Sequence, residues 1–261
     1  IESSSFGSDI FGSNWATTQN SLYTQNYAWY TKDGRAYYGI NSATDISGIQ
    51  GLVTRSTDIF GNTTTTTTSN TYIVHEGRVF VQEAVANSLG TDIFGSTNTT
   101  TSTTTYTYGE VTIGDVTSEY TVTGSIVKSL NSSADIFGST STNKTTTTYI
   151  YGEITKIGAD TEYGIKSLTI ESSSFGSDIF GSNWATTQNS LYTQTYAWYT
   201  KDGLDYFGMS YTTTTAGVSV TQGLVTTSTD IFGNTTTTTT SNTYIVHAGR
   251  VFVQEAVANS L

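Results

Sequence analysis

Six aspartates in this chain share one four-residue setting, Asp-Ile-Phe-Gly, beginning at Asp9, Asp58, Asp92, Asp135, Asp178 and Asp230. Carboxylates repeated at turns are one way a secreted β protein holds Ca²⁺. Calcium takes about six to eight oxygens, usually from several acidic groups close in sequence. Here each Asp stands nearly alone, and the Gly-Gly-x-Gly-x-Asp pattern of calcium β-rolls is missing. The motif therefore reads as a structural turn without a cofactor, with Ca²⁺ as the lesser alternative. Its parts are Asp9, Ile10, Phe11 and Gly12, then Asp58, Phe60 and Gly61, Asp92, Phe94 and Gly95, Asp135, Phe137 and Gly138, Asp178, Phe180 and Gly181, and Asp230, Phe232 and Gly233. Asp suits an Asx-turn, in which the carboxylate accepts nearby backbone N–H groups. Gly suits a positive φ or a close approach. Ile and Phe are expected to anchor the turn in an apolar layer.

Other candidates are weaker. His75 beside Glu76 has the residue types for acid–base work, but the equivalent place in a second copy is His247-Ala248. Both histidines flank a turn signal, where a solvated side chain is the simpler reading. Nucleophile elbows, phosphate-binding glycine loops and metal-spaced histidines are absent, so an enzyme is not expected. Aromatics crowd two stretches, Trp15, Tyr23, Tyr27, Trp29, Tyr30, Tyr37 and Tyr38, then Trp184, Tyr192, Tyr196, Trp198, Tyr199 and Tyr206. Rings beside polar side chains can stack on sugars, and cross-strand packing explains them equally well. On a strand, Tyr27, Trp29 and Thr31 share one face, and Ala28 and Tyr30 the other. Asn-x-Ser/Thr tripeptides at Asn62, Asn98, Asn131, Asn143 and Asn234 are N-glycosylation acceptors if the chain is secreted by a glycosylating host.

The motifs are spaced 49, 34, 43, 43 and 52 residues apart, the range of repeat architectures. A longer period lies over this one. Ile1–Gly7 returns as Ile170–Gly176, the likeness runs through Trp29/Trp198, and after an insertion near Tyr211–Thr215 the stretch Thr57–Leu89 returns as Thr229–Leu261. The units are 1–56 (A), 57–90 (B), 91–133 (C), 134–176 (D), 177–228 (A′) and 229–261 (B′). This order leads us to expect a window on a longer array.

Composition narrows the class. Hydrophobic residues are 35% and charged residues 12%, both low, while Thr supplies 56 of the 261 residues. Thr and the 18 Tyr favour strands over helices, and 13% aromatics argues against disorder. Pro is absent, which suits strands whose N–H groups serve in ladders. With no Cys, disulfides and thiolate sites are excluded. A net charge of −11 disfavours nucleic acid and anionic membranes, and no apolar run is long enough to span a bilayer.

A turn signal follows each motif by 18 to 25 residues: Asp33-Gly34, Glu76-Gly77, Gly114-Asp115, Gly158-Ala159-Asp160, Asp202-Gly203 and Ala248-Gly249. Asp-Gly between strand-like runs is a strong hairpin signal. The flanks read as strands, led by the Thr runs Thr63–Thr68, Thr103–Thr105, Thr145–Thr148 and Thr235–Thr240. The expected fold is all-β, a repeat protein of stacked antiparallel hairpins in an open, elongated or solenoid-like array, with a β-propeller as the alternative. In composition and repetition alone the chain resembles repetitive bacterial surface proteins. These features point to a structural protein of an extracellular filament, appendage or cell-surface layer. Its partners are further copies of itself, and its assembly runs through β-strands. A carbohydrate-binding adhesin or lectin-like propeller, with surface glycans as partners, is the rival. Ice binding through the Thr arrays ranks third.

Overall fold

The computed structural model describes residues 4–19, 23–45, 52–155, 161–188, 192–214, 224–247 and 250–261. Every regular element among them is a strand. β-Branched Thr is the commonest residue, Tyr is frequent, and no proline breaks a ladder, so the extended conformation wins over most of the described residues.

Each repeat unit is one long hairpin. β1 (Ser4–Ser8) leads into the first corner. The first hairpin runs outward through β2 (Asn14–Gln19) and β3 (Tyr23–Lys32), turns at Asp33-Gly34, and returns through β4 (Arg35–Asp45) and β5 (Leu52–Thr57). The second is β6 (Thr63–His75) and β7 (Arg78–Thr91), the third β8 (Thr97–Ile113) and β9 (Val116–Ala134), the fourth β10 (Thr140–Thr155) and β11 (Thr161–Ser177). The fifth repeats the first, with β12 (Asn183–Gln188) and β13 (Tyr192–Lys201) outward and β14 (Leu204–Thr214) and β15 (Leu224–Thr229) returning. The sixth is β16 (Thr235–His247) and β17 (Arg250–Ser260). The turns expected at Gly158-Ala159-Asp160 and Ala248-Gly249 lie outside the described residues, as does part of the insertion near Tyr211–Thr215.

Hydrogen bonding orders the strands β1-β2-β5-β6-β7-β8-β9-β10-β11-β12-β15-β16-β17, with β13 beside β11 and β14 beside β13, in one 15-stranded sheet. Neighbouring strands pair antiparallel, and the sheet does not close into a barrel. One continuous sheet also replaces the propeller alternative, which needs separate four-stranded blades. By chain contacts the molecule divides into two compact units, Ile1–Tyr106 with Ser129–Ile136, and Thr107–Lys128 with Phe137–Leu261.

The first and fifth hairpins differ from the others in having two strands on each side, and the two outward strands of the fifth share one partner. β11 shows how. Ser173 pairs with Thr187 of β12, and Ile170, three residues back, already pairs with Tyr192 of β13. β12 and β13 are thus successive parts of one outward strand with two extra residues between them. In the first hairpin, β3 and β4 pair only with each other as strands, and the bridge Ile40↔Gly77 ties them to the tip of the second hairpin.

Register is shared between hairpins. In five of them the pairing slips by one residue just before a tyrosine of the outward strand: Tyr27, Tyr72, Tyr151, Tyr196 and Tyr244. Each slip is a β-bulge, with an extra residue on the return strand. Closer to the corners, unbroken register lines up like residues. Ser5, Thr17, Thr54, Thr66, Ser88 and Thr100 stand side by side across adjacent strands. Asn143, Ser174, Thr186, Thr226, Thr238 and Ser260 do so in the second unit. Hydroxyls bond along these rows, with Oγ–Oγ distances of 3.1 Å for Thr17–Thr54 and Thr66–Ser88, 2.9 Å for Thr186–Thr226 and 3.2 Å for Thr238–Ser260. Such cross-strand pairs add about 0.2–1 kcal/mol each to a sheet.

A hydrophobic core is nearly missing among the described residues. Among the described residues only Val53, Ile154 and Leu168 are buried apolar side chains. The chain exposes 16277 Å². A folded monomer of 28.0 kDa is expected to expose roughly 11,000 Å². Stability must then come mainly from the backbone ladders and the side-chain pairs lying on them.

Candidate functional site

The Asp-Ile-Phe-Gly corners are the most repeated local structure in the molecule. At the second corner, Gly61 N–H donates to Asp58 O at 3.1 Å and Asp58 N–H to Asn62 O at 3.0 Å. This is a three-residue hairpin loop, a type I turn closed by a residue of positive φ in a G1 bulge. The positive residue is the glycine in all six copies, with φ between 83° at Gly233 and 99° at Gly12. The Asp carboxylate ties the loop together, Oδ1 accepting from Phe60 N at 2.8 Å and Asn62 N at 3.0 Å. The same two bonds recur at Asp9, Asp92, Asp178 and Asp230. At each of these corners one carboxylate oxygen thus caps two backbone N–H groups of its own loop.

The expectation that Ile and Phe are buried does not hold. Phe11, Phe60, Phe94, Phe137, Phe180 and Phe232 are 70–83% exposed. The reason is local. Ile and Phe occupy the two central positions of a tight loop, beyond the last strand pair, where no layer covers them. The isoleucines are partly sheltered by the neighbouring corner. A Cβ placed on Gly61 would lie 3.2 Å from Ile93 Cγ2, and one on Gly95 3.8 Å from Ile136 Cγ2. Ile10 has no corner before it among the described residues and is 92% exposed, while Ile93 and Ile136 are 55% and 50% exposed. Asn62 strengthens one of these contacts by accepting Ile93 N–H at its Oδ1, 3.1 Å away.

The asparagines after the second and sixth corners also act on the aspartates. Asn62 Nδ2 donates to Asp58 Oδ2 at 2.7 Å, and Asn234 Nδ2 to Asp230 Oδ2 at 2.8 Å. These side-chain bonds, joined by the backbone N–H groups, hold both carboxyls below the usual 3.8. A carboxyl lowered in the folded state stabilises the fold above its unfolded pKa, and that contribution is lost as pH falls through the lower folded value. The melting temperature should therefore drop on acidification below about pH 4, and the Asp58→Asn/Asp230→Asn double variant should show a shallower drop over the same range. Parallel melting curves as a function of pH would count against these bonds.

The tips use different chemistry. Asp33-Gly34, Glu76-Gly77 and Asp202-Gly203 carry positive φ at both central residues, the type I′ pattern, whereas Gly114-Asp115 has it at Gly114 alone. Glu76 forms an ion pair with Lys32 Nζ at 2.5 Å. His75 faces Arg78 in the last strand pair before that turn.

The first aromatic cluster divides by face as its alternation suggests. Tyr30 stacks on Tyr37 and lies over Gly39 and Gly77. Tyr27, Trp29 and Tyr38 pack together on the other face and remain 53%, 71% and 62% exposed. In the second copy Tyr196 and Trp198 pack on Phe207 and are half-buried. Trp15 and Trp184 do something else, each lying across a glycine of the adjacent strand, Gly7 and Gly176. Of the Asn-x-Ser/Thr sites, Asn62 and Asn234 are engaged in their corners, while Asn98, Asn131 and Asn143 stand exposed on strands.

The exposed corner row and the strand bulges were the features sequence reasoning missed. The first had a signal, since Ile and Phe fill the two central places of a turn ending in Gly. No helix among the described residues is long and apolar enough to cross a membrane. In comparisons with known proteins, the chain matches no family, no curated protein and no solved structure.

Proposed function

We propose that this chain is a structural, non-enzymatic repeat protein of an extracellular filament, appendage or cell-surface layer, built by adding further copies through β-strands. The observation that carries the reading is a 15-stranded antiparallel sheet that does not close and that, among the described residues, buries only three apolar side chains. A sheet ending in unpaired strands is a template for another chain. β17 repeats the first eleven residues of β7, Arg78–Ser88, and β7 uses its outer edge to pair with β8. The same edge sequence, free of Pro and Lys, is thus suited to receive a Thr-rich strand. Sedimentation and negative-stain electron microscopy of the purified chain test this. Extended assemblies that grow with concentration are expected, and a chain that stays monomeric at about 100 μM, far above ordinary specific affinities, would overturn it.

A second reading, a carbohydrate-binding adhesin, is favoured by one observation, the exposed face of Tyr27, Trp29 and Tyr38. A glycan array distinguishes it. Retention of a saccharide that Trp29→Ala abolishes supports binding, and failure to retain any saccharide removes it.

A further inference from the structure

We propose that the row of Asp-Ile-Phe-Gly corners is a lateral docking edge, which pairs with the same row of a second copy of this chain. This deepens the structural-array reading and rests on it, but it concerns a different surface from the strand edges.

Strand order places one corner after every second strand, so within each unit successive corners recur at about 9.5 Å, two inter-strand spacings. In the first unit this row presents Phe11, Phe60 and Phe94, and in the second Phe137, Phe180 and Phe232, none less than 70% exposed. Large apolar side chains held this openly and this regularly mark an interaction surface. The residues beside them are uncharged apart from the motif Asp itself. Ser or Asn follows each glycine, and Lys and Arg are absent from the five residues after it at all six corners.

The occupant is argued from pitch and area. A partner that engages every phenyl must repeat at two strand spacings. The corner row itself has that repeat and presents a phenyl at each step, whereas the hairpin tips, which recur at the same spacing, carry the charged residues Asp33, Glu76, Asp115 and Asp202. Rings about 3.5–4 Å thick at van der Waals contact from two such rows fit alternately within a 9.5 Å period. Three corners offer about 700 Å² of apolar surface, at roughly 150 Å² for each Phe and half that for each Ile, near the ~800 Å² per partner of a standard stable interface. Two like rows meeting face to face give a two-fold contact, the commonest way identical chains associate. The motif carboxylates repel across it, so pairing strengthens as salt rises.

The test has two arms. In the first, sedimentation velocity at low and high NaCl compares wild type with a variant carrying Phe→Ser at positions 11, 60, 94, 137, 180 and 232, with far-UV circular dichroism recording the fold. Wild type is expected to pair side by side and the variant to lose that pairing with its strand signal intact. In the second, because the chain has no cysteine, Phe60→Cys and Asp115→Cys report separately on the corner and the tip, the first keeping five of the six corner phenyls and the second all six. Oxidation is expected to link Cys at position 60 between copies at least ten-fold faster than Cys at position 115. Equal linking at the two positions, or lateral pairs that survive the Phe→Ser changes, overturns the inference. Wild-type chains that pair through corners but never lengthen would retain it while defeating the array reading.

Discussion

Replacing Gly176 with alanine is expected to destabilise the protein by about 3 kcal/mol, the upper range for forcing atoms into a packed site. The same change at Gly7 should cost under ~1 kcal/mol. The two glycines occupy equivalent places in the long repeat, and each lies beneath a tryptophan, Trp184 or Trp15. Their neighbours on the other side differ. A Cβ on Gly176 would meet Thr140 O at 2.5 Å, a backbone atom of β10 that cannot yield without disturbing the ladder, as well as the Trp184 ring at 2.9 Å. On Gly7 the close neighbours are Trp15 ring atoms at 2.8 Å, and a ring can swing away. Thermal unfolding of the two variants side by side decides it. Equal losses would mean that the tryptophan, rather than the flanking strand, sets the requirement for glycine.

A larger effect follows from the corners. Gly12, Gly61, Gly95, Gly138, Gly181 and Gly233 all adopt positive φ, a region that costs an ordinary residue roughly 1–2 kcal/mol. Changing all six to alanine should therefore remove on the order of 6–12 kcal/mol, comparable with the entire stability of a typical domain at about 5–15 kcal/mol. The six-fold variant is expected to lack a cooperative melting transition in circular dichroism. Single variants refine the point. Gly12→Ala meets nothing within 4 Å and suffers backbone strain alone, while Gly61→Ala also presses on Ile93, so Gly61→Ala should melt lower. A six-fold variant melting within a few degrees of wild type would show that the loops relax to another turn.

How far the sequence announced this structure depends on the residues concerned. The all-β class followed from Thr, Tyr and the absence of Pro, because those preferences are local. The tips at Asp33-Gly34 and Asp202-Gly203 were legible for the same reason, since that dipeptide matches a type I′ turn at little strain. Glu76-Gly77 adopts the same geometry with a residue that favours it less, φ 48° at Glu76. Ile-Phe misled because apolar residues read as core by default, and exposure here is set by what lies beyond the end of a strand, which a single sequence does not display. The bulges before Tyr27, Tyr72, Tyr151, Tyr196 and Tyr244 were hidden too. The extra residues opposite them (Asn41, Gln82, Lys166, Ser210 and Gln254) are ordinary strand occupants without the glycine that often marks a bulge. Nor did alternation reveal that β12 and β13 share one partner strand, because that depends on β11 being long enough to span both.

The distance between motifs along the chain varies from 34 to 52 residues, yet in the sheet each corner comes two strands after the last. Length differences are absorbed away from the corners. A genetic crossover between any two Asp-Ile-Phe-Gly codon runs would accordingly join an incoming return strand to an outgoing strand, whichever copies took part. The product would hold a whole number of hairpins, its phase intact. Such a gene can gain or lose repeats by recombination, and vary the outer margin of its product, without a step in which the sheet is out of register.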